Sequence, residues 1–278
     1  MGNESRKRLG IIGDPVAHSI SPAMQQPALD ALGIAATYER WQTPLEELPA
    51  RIESLRAADV LGANVTIPHK QAVIPMIDEV SPLALKAGAV NTIVNRDGRL
   101  FGDNTDVYGF VTALQQACMD LAGREAVILG AGGASRAVVL GLVELGVEKI
   151  TLVNRNRERA EKLRDDLGVP SVEITDSADS LLPSTGLLIN ATSLGWHIGE
   201  MPIEAELLDL LPQNALVADL TYRETDLLIA AEARGLQTLD GLGMLVYQGV
   251  LAFERFTGQS APVDIMWAAA LQARAPRG

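Results

Sequence analysis

Along the first hundred residues, short apolar runs alternate with stretches whose apolar positions recur at helical spacing. Runs at 9–12, 36–41, 60–65 and 89–94 read as strands. Residues 22–32 and 44–57 read as helices between them. Thr43 followed by Pro44, with Glu46 and Glu47 in the first turn, is a start signal for the second helix. Ser21 before Pro22 is a cap signal for the first. Residues 107–121 read as a helix able to join two domains. Beyond it the pattern becomes more regular, with apolar runs at 126–129, 150–153, 172–174, 187–189, 216–218 and 236–239. Six strands separated by crossovers imply a parallel, doubly wound sheet. The segment 243–273 is helical in pattern, is interrupted at 258–262, and is read as returning to the first domain.

Composition narrows this picture. A chain of 278 residues that is 47% hydrophobic is long enough for two domains with a core each. No run of 18 or more apolar residues occurs, so no membrane span is expected. No apolar leader segment is visible near Met1, and a cytoplasmic location is expected by default. A single cysteine, Cys118, excludes an internal disulfide framework and is read as packing in an apolar helical stretch. The three histidines are scattered, so no metal site is expected. The net charge of −12 disfavours nucleic acid and anionic membranes as partners. It also means that an anionic ligand needs local basic residues.

The strand at 126–129 runs into Gly130, Ala131, Gly132, Gly133, Ala134 and Ser135, and a helix follows. Glycine at 130 allows a tight turn, and glycine at 132 lets backbone approach a pyrophosphate. The helix N-terminus then turns its free N–H groups toward the anion. Ser135 is small enough for close helix–strand packing. An ordinary strand-to-helix turn would also contain glycine, but placement inside a βαβ unit of about 30 residues favours a dinucleotide. The next strand ends in Asn154 and Arg155, with Arg159 four residues beyond. An NAD site usually places an acid there for the ribose hydroxyl. Two guanidiniums suit a 2′-phosphate instead, so NADP is the expected cofactor. Arg157 and Arg164 are read as solvated surface residues.

Further clusters stand out: His18-Ser19-Ile20-Ser21-Pro22, Asn64-Val65-Thr66-Ile67-Pro68-His69-Lys70, Gly88-Ala89-Val90-Asn91-Thr92 and Gly102-Asp103-Asn104-Thr105-Asp106. The second half adds Asn190-Ala191-Thr192-Ser193-Leu194-Gly195 and Asp240-Gly241-Leu242-Gly243-Met244, followed by Gln248. Read locally, Asn64 and Thr66 share one face of an extended segment. Lys70 could be solvated, and Asp106 could merely cap the helix that follows it. Taken together and in this order, the clusters resemble the shikimate/quinate dehydrogenase family over nearly the whole chain.

The resemblance implies an α/β protein of two domains: an N-terminal α/β substrate domain and a Rossmann-type doubly wound NADP-binding domain. The expected division is 1–106, completed by helices in 247–278, and 107–246. It implies reversible NADPH-dependent reduction of 3-dehydroshikimate to shikimate, in chorismate and aromatic amino acid biosynthesis. Lys70 would exchange the proton with the reacting oxygen and Asp106 would hold it. Ser19 and Ser21 would hold the substrate carboxylate. Asn64, Thr66, Asn91, Thr105, Tyr222 and Gln248 would complete the substrate site. The cofactor would meet the 130–135 loop, Asn154, Arg155, Arg159, Thr192, Ser193, Gly243 and Met244. Small molecules are the expected partners, and the chain is read as a monomer or homodimer. The alternatives are a quinate/shikimate dehydrogenase using NAD, and a non-catalytic shikimate-binding sensor. The sequence departs from the family pattern at Gln25-Gln26-Pro27, at Val107 in place of glycine, and after Tyr222. There Arg223 and Glu224 stand for a longer segment.

Overall fold

The computed structural model describes residues 6–117, 121 and 123–274. Cys118 lies outside them. The chain divides into two compact units, one comprising residues up to Tyr108 together with Val246–Arg274, the other Gly109–Leu245.

The first unit is built on a six-stranded sheet of β1 (Lys7–Gly13), β2 (Ala36–Gln42), β3 (Val60–Val65), β4 (Glu79–Val80), β5 (Thr92–Arg96) and β6 (Arg99–Asp103), in the order β2-β1-β3-β5-β6-β4. β1 pairs in parallel with β2 and β3, whereas β5 runs antiparallel to both β3 and β6. That reversal positions the chemistry. Asn64 near the end of β3 pairs with Thr92 at the start of β5, and Thr92 pairs with Asp103 at the end of β6. Three loops bearing polar residues therefore leave the sheet at one edge.

Two expectations for this half are corrected. The strand read at 89–94 begins only at Thr92, because α3 (Pro82–Ala87) ends in a left-handed turn at Gly88 and the Ala89 N–H closes onto Ala84. The helix read at 44–57 is a 3₁₀ turn, Leu45–Glu47, followed by α2 (Leu48–Ser54). Pro49 has no N–H and fits only a first turn, so the α-helix restarts there. Thr43 does not cap; its hydroxyl donates to the Trp41 carbonyl. β4 and β6 were not anticipated. β6 is announced by Asp97-Gly98, both at positive φ in the hairpin turn after β5.

Around this sheet pack α1 (Ser21–Ala31), α8 (Leu242–Thr257) from its Val246 onward, and α9 (Val263–Ala273). Phe253 of α8 is fully buried.

The second unit holds a six-stranded, wholly parallel sheet: β7 (Glu125–Leu129), β8 (Lys149–Val153), β9 (Val172–Thr175), β10 (Thr185–Asn190), β11 (Leu216–Asp219) and β12 (Gln237–Leu239). These match the six apolar runs to within two residues at each end. Their order is β12-β11-β10-β7-β8-β9. The chain winds outward from β7 to β9, then returns to lay β10 on the other side of β7. Ligands of such sheets bind at the carboxyl ends flanking that switch. The loops there are those after β7 and β10. The helices include α4 (Asp106–Gln116), α5 (Gly133–Glu144), α6 (Arg157–Leu167) and α7 (Asp226–Glu232), with the unit boundaries falling inside α4 and α8.

Phe253→Ala is expected to destabilise the protein by about 3–5 kcal/mol through the cavity it leaves. Urea unfolding of the full chain measures it, and a loss below about 1 kcal/mol would show that α8 is not part of the core.

Candidate active site

In the first unit the loops after β3 and β6 and the turn before β5 meet around Asn91. Lys70 Nζ donates to Asp106 Oδ2 at 2.7 Å, and Asn91 Nδ2 donates to Asp106 Oδ1 at 2.8 Å. The lysine and aspartate side chains are only 18% and 9% exposed, so this pair is shielded from water rather than a surface ion pair. Val90 N–H bonds to the Lys70 carbonyl at 2.8 Å, which ties the lysine's backbone to the Asn91 segment. Asn91 also donates to Thr105 Oγ1 and accepts from the Thr105 N–H through Oδ1.

Asp106 does not cap α4. Asn104 does, its Oδ1 accepting from the N–H groups of Asp106 at 3.0 Å and Val107 at 3.3 Å. Its Nδ2 donates to the Ala89 carbonyl. The Asp106 carboxylate is thereby left to Lys70 and Asn91. Val107 is buried in the first turn of α4, and the only non-glycine residue at positive φ among the described residues is Asp97. The exchange of glycine for valine is without backbone strain.

Asn64 joins the same network. Its Nδ2 reaches the Asn91 carbonyl and Thr92 Oγ1, and its Oδ1 accepts from the Tyr38 hydroxyl at 2.7 Å. Burial pushes the Tyr38 phenol well above its ordinary range, so it stays a donor. Tyr38 was not anticipated, though the inward phase of β2 signals it, and Thr92 stood in the Gly88–Thr92 cluster without a role. Thr66 is half-buried just past β3, and Gln248 lies in α8 one residue before Gly249.

Ser19 and Ser21 meet at the start of α1. Ser21 is the first helical residue rather than the cap, because Ile20 already has near-helical backbone; the Ser21 N–H bonds to Ser19 Oγ at 3.3 Å. Arg40 donates twice to the Ser19 carbonyl. This places a positive charge beside two hydroxyls and a helix N-terminus, an arrangement suited to a carboxylate. Arg40 was not anticipated and carries no local sequence signal.

In the second unit the 130–135 loop has the geometry of an anion cradle. Gly130 has φ of +100°, and a Cβ there would meet Thr192 Cγ2 at 2.9 Å, so only glycine fits. Ser135 Oγ accepts from the Gly132 N–H and donates to the Gly130 carbonyl, both at 3.0 Å. The space beside Gly133 is open, and α5 begins there. Arg159 Nε donates to the Ala131 carbonyl at 2.9 Å, which sets its guanidinium beside the glycines. α6 starts at Arg157, with Asn156 as cap accepting from the Arg159 N–H. Arg155 is exposed at the end of β8, and Asn154 Nδ2 bonds to the Asn156 carbonyl. Thr192 is held through its N–H and hydroxyl by Asn190 Oδ1, and Ser193 is exposed. These residues fit an anionic dinucleotide: open glycine backbone, a helix N-terminus and free guanidinium N–H groups nearby. Gly243 and Met244 lie in the first turn of α8, whose start is held by Asp240 accepting from the Leu242 N–H.

Tyr222 also belongs to the second unit. It packs edge-on against Trp196, with ring centroids 5.1 Å apart, and Arg223 lies over the Trp196 ring. Burial raises the Tyr222 phenol, opposed by Arg223.

Comparison with known proteins bears on each part. Residues 11–93 match the shikimate dehydrogenase substrate binding domain, 112–221 match the shikimate / quinate 5-dehydrogenase family, and 241–271 match the shikimate 5′-dehydrogenase C-terminal domain. The NADP(+) shikimate dehydrogenase of Symbiobacterium thermophilum is 46% identical over 275 residues, covering 95% of this chain and 94% of that protein. The crystal structure of Thermus thermophilus shikimate 5-dehydrogenase in complex with NADP(H) and shikimate is 42% identical, with a TM-score of 0.87 over 96% of this chain and 99% of that one. The Aquifex aeolicus shikimate dehydrogenase is 35% identical, with a TM-score of 0.90 over 97% and 99%.

Asn104→Ala removes the cap of α4 and is expected to cost about 1–2 kcal/mol of stability. Chemical denaturation checks this, and an unchanged midpoint would return the capping role to Asp106.

Proposed function

The chain belongs to the shikimate dehydrogenase family, and from that premise we propose that it interconverts 3-dehydroshikimate and shikimate with NADP(H). The observation that carries the reading is the shielded Lys70–Asp106 pair, with the second carboxylate oxygen fixed by Asn91.

When bound, NADP(H) supplies or accepts the hydride at the substrate carbon bearing the reacting oxygen. Lys70 does the proton work. In the direction of reduction its ammonium gives a proton to the oxygen as negative charge develops, and the neutral amine left beside Asp106 is reprotonated from solvent. In oxidation the amine takes the hydroxyl proton. Asp106 keeps Nζ in place through a charge-assisted hydrogen bond, and Asn91 stops the carboxylate from turning away. Ser19 and Ser21, with Arg40 behind them, would hold the substrate carboxylate. Asn64, Thr66, Asn91, Thr105, Gln248 and Tyr222 are assigned to the rest of the substrate. Both donors of Asn64 serve its neighbours, so it would contribute only its remaining acceptor capacity.

The cofactor is assigned to the 130–135 loop, Asn154, Arg155, Arg159, Thr192, Ser193, Gly243 and Met244. The two arginines would receive the 2′-phosphate, Arg159 from beside the glycine loop and Arg155 from the end of β8. On this assignment the unit up to Tyr108, with Val246–Arg274, supplies every substrate residue except Tyr222, and the other unit handles the cofactor. Among the described residues no helix is long and apolar enough to cross a membrane, and a cytoplasmic location is part of the same proposal.

Lys70→Ala is expected to lower kcat by about 10²–10⁴ while leaving shikimate affinity, read by calorimetry, near that of the parent. Near-normal turnover would overturn the assignment. Arg155→Asp is expected to raise KM for NADP far more than KM for NAD, and equal effects would refute the phosphate clamp. A four-way rate assay crossing shikimate and quinate with NADP and NAD supplies the baseline.

A further inference from the structure

Asp219, at the end of β11, is a carboxylate that the proposed chemistry does not use. It is 1% exposed and has only neutral donors around it. Oδ2 accepts from Asn190 Nδ2 at 2.9 Å and from Thr225 Oγ1 at 3.0 Å, and Oδ1 accepts from the Thr221 N–H at 2.9 Å. Burial raises its pKa against the pull of these donors. Burying such a group without a cationic partner costs stability, offset only in part by these hydrogen bonds.

Its partners show what it organises. Asn190 pairs in register with Asp219 and is itself fully buried. With Nδ2 committed to Asp219 and to the Leu194 carbonyl, its Oδ1 can only face the other way, where it accepts from both the N–H and the hydroxyl of Thr192. Thr192 Cγ2 and the Ala191 carbonyl form the wall against which Gly130 turns. On the other side, Thr221 and Thr225 bracket Tyr222, and Thr225 Oγ1 also caps α7 by accepting from the Leu228 N–H. One carboxylate thus sets the wall of the glycine loop and both ends of the shortened tyrosine loop. An amide in its place would turn an N–H₂ toward at least one donor.

We propose that Asp219 is a positioning residue for the nucleotide site, acting through Asn190 on Thr192 and through Thr225 on the Tyr222 loop. This rests on the assignment of NADP to the glycine loop. The test is NADP⁺ binding by calorimetry in the absence of shikimate, with thermal midpoints measured alongside. Asp219→Asn is expected to weaken binding by about tenfold or more. Thr225→Val keeps the shape, removes one donor, and serves if the aspartate variant does not fold. It is expected to weaken binding by about threefold, with Thr225→Ser restoring it. A lowered thermal midpoint with unchanged NADP⁺ affinity in both variants would overturn the proposal and leave Asp219 a purely structural group. Failure of the parent protein to bind NADP⁺ would instead overturn the cofactor assignment on which the proposal rests.

Discussion

A buried carboxylate must be met by donors, and Asp106 is met by two of different kinds. Lys70 supplies charge and Asn91 supplies a neutral amide held from several sides. That requirement explains much of the first unit. For Asn91 to reach Asp106, the start of β5 must lie beside the end of β6; for Lys70 to reach it, the end of β3 must lie there too. The antiparallel reversal at β5 satisfies both conditions, as the pairing of Thr92 with Asn64 and with Asp103 records. A wholly parallel sheet would have put the start of β5 at the opposite edge.

The second unit solves a different problem with a different topology. There the ligand is expected to be large and anionic in a chain of net charge −12. On the proposed assignment, the favourable field comes from backbone N–H groups and two arginines rather than from overall charge. Arg159 is oriented by the Ala131 carbonyl, so part of its geometry is set by the loop it serves.

How legible this was from sequence differs between the units for a physical reason. Parallel strands buried on both faces read as continuous apolar runs, and the six of the second unit were visible as such. The first sheet ends in short, half-exposed strands, and β4 and β6 carry too few apolar residues to register. Asp97-Gly98 was the available signal for β6, and it is a turn signal rather than a strand signal. Caps were misplaced at Ser21 and Thr43, because a side chain that could cap is not told by sequence which partner it will find. Lys70, Asp106, Asn91 and Thr105 were legible as motifs, and the structure brings them into one network. Tyr38, Thr92, Arg40 and Asn104 were not singled out as participants, since each acts through a contact distant in sequence or through an unexpected local one.

The capping of α4 by Asn104 has a consequence for how this protein can change. Helix initiation and the hold on Lys70 are lodged in side chains two positions apart, Asn104 and Asp106, with separate partners. Selection can therefore act on one without dragging the other along. A lineage that exchanged Asp106 for a neutral residue would keep the helix start and the polar network around Asn91 largely in place. On the proposed assignment of Lys70 and Asp106, what remained would be a ligand receptor built on an enzyme's frame.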